Sequence, residues 1–277
     1  MTAQSALVAA VQSLKAAGVD DPARDARRLL CHALDIDSSR LTLALGEEMT
    51  KDAKKLFGDL ITRRITREPV SQILGYRDFY GQRFEVTRDV LDPRPETETL
   101  VETVLGLDFQ IILDIGTGSG CILLSLLATR VGSTGMGVDV SQSALTVAKR
   151  NAQALGLLER VEFAHSNWFE AVEGLFDVIV SNPPYIDEKE WETLEPEPKD
   201  WEPKLALTPG VDGLAPYRVI AAVAPRHLTK DGWLAVEIGW RQGDAVKDIF
   251  ENSGFSDVRV IQDLGGRDRV VAGCFHA

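Results

Sequence analysis

The chain has 277 residues, 44% hydrophobic and 26% charged, which excludes a disordered segment and allows one large domain or two of ordinary size. Thirty basic against 42 acidic residues leave a formal charge of -12, a surface that repels a phosphate backbone at long range. No apolar run approaches the roughly 20 residues that cross a bilayer, and Met1-Thr2-Ala3-Gln4 opens without a basic stretch ahead of an apolar one, so a cytoplasmic protein is expected.

Cys31, Cys121 and Cys274 are scattered and odd in number, which suits buried thiols in a reducing compartment. Neither Cys31-His32 nor Cys274-Phe275-His276 has zinc-ligand spacing, so no metal is expected. Residues 1–66 read as helices: Leu7, Val11 and Leu14 share a face, and Asp21-Pro22 is an N-cap followed by proline at the first helical position. Thr50 caps a further helix, expected to bury Leu56, Leu60 and Ile61. A helical bundle over residues 1–70 follows.

Between Gln72 and Leu91 the aromatic and β-branched pattern around Gly81 predicts a short hairpin, so residues 71–93 are assigned as a connector. Asp92-Pro93-Arg94-Pro95-Glu96-Thr97-Glu98 restrains the chain before a helix over 96–105, and a second domain spans 94–277. Within it strands are expected at 111–115, 135–140, 161–164, around Val178, at 233–238 and near Val258 and Val270. Helices are expected at 121–130, 142–155, 217–227 and 244–252. This alternation predicts an α/β fold with a mainly parallel sheet covered on both faces, its ligand at the carboxyl ends of the strands.

The chemistry-bearing motifs fall at those ends. Asp114-Ile115-Gly116-Thr117-Gly118-Ser119-Gly120 runs from a strand through a glycine loop into a helix, permitting close backbone approach to a ligand; a structural βα turn would read the same. Asp139, at the next strand end, is placed to accept two ribose hydroxyls, although a lone aspartate there also serves as a helix cap. In Ser166-Asn167-Trp168-Phe169 an amide and an aromatic ring offer an edge and a face to adenine, or else form a turn over core aromatics.

Asn182-Pro183-Pro184-Tyr185 closes the Val178 strand. A planar amide nitrogen is a poor nucleophile because its lone pair is delocalised, and two acceptors on its N–H bonds would fix its plane and favour charge build-up on nitrogen. The Asn182 side-chain oxygen and the Pro183 carbonyl are the candidate acceptors, with Tyr185 stacking on the flat group.

Together these residues resemble the class I S-adenosyl-L-methionine-dependent methyltransferases that modify planar nitrogens, and within them the HemK/PrmC-type protein-(glutamine-N5) methyltransferases. Further marks are Pro69-Val70 with Ile73-Leu74-Gly75, Phe79-Tyr80-Gly81, Arg94-Pro95-Glu96-Thr97-Glu98, Glu202-Pro203 with Ala206-Leu207, and Asp212-Gly213-Leu214. Glu237-Ile238-Gly239 and Asp263-Leu264 with Arg269-Val270-Val271 complete the set. The resemblance implies a Rossmann-like seven-stranded sheet behind a small helical domain that recognises substrate. It also implies methyl transfer from S-adenosyl-L-methionine, with S-adenosyl-L-homocysteine as product, to the glutamine of the Gly-Gly-Gln motif in class 1 peptide chain release factors.

It further implies that Asp114, Gly116, Thr117, Gly118, Gly120, Asp139, Asn167, Trp168 and Asn182 hold the cofactor. Asn182, Pro183 and Tyr185 would be catalytic, and these with Pro184, Arg94 and Glu98 would bind substrate, in a monomer that touches neither nucleic acid nor membrane. Two positions depart from the family's usual pattern: Asn167 stands where aspartate is common, and Pro209 where glycine is more usual. A ribosomal-protein glutamine methyltransferase, a nucleic-acid amino-methyltransferase and a non-catalytic adenosine binder are the competing readings.

Overall fold

The computed structural model describes residues 1–276, which form two compact units: Met1–Tyr76 together with Glu195–Trp201, and Arg77–Leu194 together with Glu202 onward. The first is built from helices Ala3–Ala16, Pro22–Leu34, Lys51–Ile65 and Val70–Leu74. Asp21 accepts from the Arg24 N–H and Thr50 from the Ala53 N–H, as capping residues do. Leu7, Leu14, Leu29, Leu30, Phe57, Leu60 and Ile61 fill the core.

One expected core residue is wrong. Leu56 is 41% exposed and Phe57 only 4%, because the buried stripe runs Phe57, Leu60, Ile61 and Arg64, the i, i+3, i+4, i+7 spacing of a helical face. The expected hairpin is also shorter than 72–91, since Val70–Leu74 is helical and buries Val70 and Ile73 in this core. Residues 195–201 belong to this unit although they follow in sequence by well over a hundred positions. Arg64 and Arg67 donate to Glu197 at 2.7 and 2.6 Å, and Gln72 Nε2 donates to the Trp201 carbonyl at 2.8 Å.

A hairpin follows, β1 (Tyr76–Phe79) and β2 (Gln82–Glu85), which belongs to the second unit from Arg77 on. Its two-residue loop, Tyr80-Gly81, has φ of 46° and 72°, the doubly left-handed geometry whose twist matches that of the flanking strands. Seven strands follow: β3 (Ile111–Ile115), β4 (Thr134–Asp139), β5 (Val161–His165), β6 (Phe176–Ser181), β7 (Leu228–Glu237), β8 (Ser256–Gln262) and β9 (Asp268–Phe275). Their order is β5-β4-β3-β6-β7-β9-β8, parallel from β5 to β7 and antiparallel thereafter.

Side chains alternate between two buried layers. Ile112, Val178 and Val180 pack with Leu100, Leu123 and Leu127, whereas Leu113 and Ile179 pack with Tyr217, Ile220 and Phe250. Both faces are therefore apolar, as a helix-covered parallel sheet requires. The chain winds from β3 through β4 to β5 and then returns to place β6 on the other side of β3, so the strand order reverses between β3 and β6. Such a reversal opens a crevice at the carboxyl ends of the two strands. The segment between β6 and β7 contains short helices at Glu188–Thr193, Pro196–Trp201 and Lys204–Leu207 ahead of Ala215–Val223.

Candidate active site

A cleft of about 310 Å³ lies at the switch point, lined by Gly116 and Gly118 after β3, Asp139 after β4, Asn167 and Trp168 after β5, and Asn182, Pro183 and Pro184 after β6. Pro203, Leu205 and Ala206 from the β6–β7 segment, and Asp89, Val90 and Leu91 after the hairpin, also line it. Four successive strand ends thus deliver polar groups to one opening, the arrangement expected of open α/β sheets.

The glycine loop is tied to β4 by two backbone N–H groups, Gly116 and Thr117, which both donate to the Val138 carbonyl at 2.8 and 2.9 Å. Gly116 has φ of 73°, and a Cβ there would meet nothing within 4 Å, so its open side faces the cleft while its backbone angle still favours glycine. Asp139 accepts from the Gly118 N–H at 2.9 Å on one oxygen and from the Ser141 N–H at 2.8 Å on the other. Each oxygen retains acceptor capacity. Burial raises the Asp139 carboxyl above its ordinary range, against the pull of those N–H groups.

Three residues expected to touch the cofactor, Asp114, Thr117 and Gly120, stand behind the cleft rather than in its lining. Asp114 is fully buried and accepts from Thr117 Oγ1 at 2.7 Å, and burial pushes its carboxyl up to about 7. Gly120, with φ of 79°, packs against Leu124, where a Cβ would come within 3.0 Å. They shape the loop from beneath. Asn167 is exposed and donates through Nδ2 to Glu170 Oε1 at 3.0 Å, which turns its other end, the acceptor, away from that contact.

The tetrad divides similarly. Asn182, Pro183 and Pro184 line the cleft, but Tyr185 does not. Its ring packs in the sheet core and its hydroxyl donates to Glu237 Oε1 at 3.2 Å, so it supports the site and does not stack in it. Burial, then Glu237, push the Tyr185 hydroxyl far above its ordinary range and keep it neutral. Asn182 Nδ2 donates to Thr97 Oγ1 at 3.5 Å. The tetrad backbone is held by Gln242, whose Nε2 donates to the Tyr185 carbonyl at 3.1 Å while its Oε1 accepts from the Gly239 N–H.

Arg94 and Glu98, expected at the substrate, have other partners and do not line the cleft. Arg94 Nη2 donates to Glu202 Oε1 at 2.6 Å, and Glu98 accepts from the Tyr80 N–H at 2.9 Å, which fastens the hairpin turn to the helix Glu98–Leu105. Burial works against the Arg94 charge, but Glu202 and Asp92 outweigh it and hold the guanidinium above its ordinary range. Thr97, Glu237 and Gln242 carry no site signal in the sequence beyond the place of the first two in Arg94-Pro95-Glu96-Thr97-Glu98 and Glu237-Ile238-Gly239.

A family model described as PrmC N-terminal domain matches residues 5–75, and one described as methyltransferase small domain matches residues 88–195. The release factor glutamine methyltransferase of Cereibacter sphaeroides is 52% identical over 272 residues, covering 98% of both chains. That of Rhodospirillum rubrum is 47% identical over 92% of this chain and 80% of its own. Among solved structures, a methyltransferase from Pyrococcus furiosus superposes with a TM-score of 0.55 at 19% identity, over 79% of this chain and all of that one. The hMettl16 catalytic domain gives 0.58 at 18% identity, over 79% and 83%.

A seven-stranded sheet of this order, with a cleft of this make-up at its switch point, defines a class I methyltransferase of the kind that uses S-adenosyl-L-methionine. Within that class the identity to full-length relatives decides the matter: the chain belongs to the release factor glutamine methyltransferase family.

Proposed function

We propose that the chain methylates the side-chain amide nitrogen, N5, of the glutamine in the Gly-Gly-Gln motif of class 1 peptide chain release factors. The observation that carries this reading is the placement of Asn182 and Pro183 in the same cleft as Asp139 and the glycine loop. A clamp for a planar amide therefore shares one opening with a nucleoside-binding carboxylate.

The residues present fit S-adenosyl-L-methionine: both Asp139 oxygens keep acceptor capacity for ribose hydroxyls, and the open side of Gly116 admits a ligand against the backbone. Asn167 and Trp168, which line the cleft, would hold the adenine and Gly118 the methionyl portion. When bound, the cofactor supplies an electrophilic methyl group on a sulfonium. The chain's own part is alignment. With Nδ2 turned to Thr97, Asn182 offers Oδ1 to one N–H of the glutamine amide, and the Pro183 carbonyl serves the other. Once methylated, the nitrogen would release its extra proton to water. The first unit grips the protein substrate, and the enzyme acts as a cytoplasmic monomer without nucleic acid. The -12 charge supports that last point, and among the described residues no helix is long and apolar enough to cross a membrane.

Radiolabelled methyl transfer to a purified release factor, with its Gly-Gly-Gln glutamine changed to alanine as control, tests the reading. Asn182→Ala should retain cofactor affinity and lose roughly 10²–10³-fold in rate, the range for one preorganised hydrogen-bonding group. Asp139→Ala should instead weaken cofactor binding most. Equal labelling of the control substrate, or an Asn182→Ala rate near wild type, overturns it.

A further inference from the structure

Two stretches that line the cleft each adjoin a buried acid. Leu91 precedes Asp92, which is 4% exposed, and Pro203 follows Glu202, which is 7% exposed. Burying carboxylates is costly unless a cation answers them, and Arg94 answers both. Its Nη2 donates to Glu202 Oε1 at 2.6 Å, and its Nη1 lies 4.0 Å from Asp92 Oδ2. Glu202 Oε2 has no hydrogen-bond partner among the described residues, so the carboxylate is held through the oxygen that meets Arg94. Further along the chain the Leu207 carbonyl accepts from the Ile186 N–H at 3.0 Å, directly after the tetrad.

The stretch 202–207 is therefore fastened to Arg94 at one end and to Ile186 at the other. It carries Pro203, Leu205 and Ala206, apolar residues that line the cleft together with Asn182, Pro183 and Pro184. Leu205 is 64% exposed, apolar surface that a side chain entering the cleft would cover. Acceptors alone do not keep a flat amide in line with an attacking direction; a wall beside it does, and a misplacement of about 1 Å can cost roughly 10²-fold in rate. We propose that Arg94 is a positioning residue for methyl transfer: by gripping Glu202 it fixes the wall formed by residues 203–206, against which the glutamine side chain is aligned. This rests on the placement of the glutamine amide at Asn182 and Pro183 given under the proposed function. With the grip cut, the wall keeps only its Ile186 fastening, and the amide can still enter but is no longer held in one plane.

Arg94→Met keeps much of the stem and removes the guanidinium; Glu202→Gln is nearly isosteric and removes the charge. Steady-state methylation of a purified release factor should show kcat down about tenfold in each, with KM within about twofold, the split expected when alignment is lost and binding is not. The two changes combined should cost no more than the larger single loss, because both cut one contact. Independently of turnover, hydrogen exchange of the cofactor-free protein should show the Ile186 amide exchanging several-fold faster in both variants, while the Leu113 and Ile179 amides of the paired strands β3 and β6 keep their wild-type rates. Should Arg94→Met fail to fold, Glu202→Gln carries the same readouts. A Glu202→Gln enzyme with wild-type kcat, a raised KM at unchanged kcat, additive losses in the double variant, or an unmoved Ile186 amide would each overturn the proposal. Equal acceleration of the Leu113 and Ile179 amides would overturn it too, since that marks a general loss of fold. Wild-type protein that fails to label a release factor, with the Ile186 response intact in the variants, would sink the substrate reading and leave the Arg94 grip on the wall standing.

Discussion

Asp114 carries an acid group inside the sheet, directly below the glycine loop. Burial lifts it from an ordinary 3.8 to about 7, although the Thr117 hydroxyl works the other way. Between about pH 4 and 7 the folded chain therefore holds a proton that the unfolded chain has released. Stability from this group is complete at the acid end of that window and is lost as pH climbs through the upper value. Asp114→Asn keeps an acceptor for Thr117 and has no proton to lose. Thermal unfolding of the two proteins at pH 5 and pH 7.5 should show wild type losing ground to the variant as pH rises. Parallel behaviour across that range would mean the carboxyl is not titrating in the fold.

At the level of the element, the hairpin is the most local structure in the second unit and its turn the most specific. A Cβ at Gly81 would touch nothing within 4 Å, so the cost of Gly81→Ala comes from backbone angle alone. That cost is about 1 kcal/mol for a left-handed residue. Urea denaturation should register it as a lower midpoint with the slope unchanged, and an unmoved midpoint would show the turn to be slack. The same hairpin is fastened at Glu85, whose N–H and C=O both bond the buried Asn151 amide, which also reaches the Ser119 carbonyl of the glycine loop.

Elements of this kind were legible where a local rule governs them. Asp21 and Thr50 cap as read, the strands from β3 to β9 follow the apolar pattern, and the glycine loop, Asp139 and Asn182 meet because strand ends in a parallel sheet must. What could not be read depends on distant partners or on rotation about one helix. Tyr185 turns from the cleft because a carboxylate 52 residues later receives its hydroxyl. Arg94 finds Glu202 across 108 positions, and Phe57 displaces Leu56 from the core by a single step around the helix. The short helices after β6 lack an apolar stripe long enough to announce them.

For the molecule as a whole, the two units differ in how they are held. The second is a sheet sandwiched by helices; the first leans on a knot of charge in which Arg64, 6% exposed, meets both Asp25 and Glu197. Burial opposes the Glu197 charge, but Arg67 and Arg64 overcome it and keep that carboxyl below its usual 4.5. Its contribution is therefore present above that value and fades as the solution is acidified. Glu197→Ala should cost about 2 kcal/mol, less than a fully buried pair because Asp25 still answers Arg64. Guanidinium titration would measure it, and a change lost in the error would make the knot ornamental.

The run Glu195–Trp201 gives this arrangement an evolutionary edge. A bundle completed by a strip of sequence encoded far downstream is no movable cassette: a graft of the N-terminal helices onto another catalytic body would leave Arg64 and Arg67 without their Glu197 partner. Lineages that change the charges on those helices must rewrite the distant strip in step. Engineers transplanting the bundle should carry both pieces or neither.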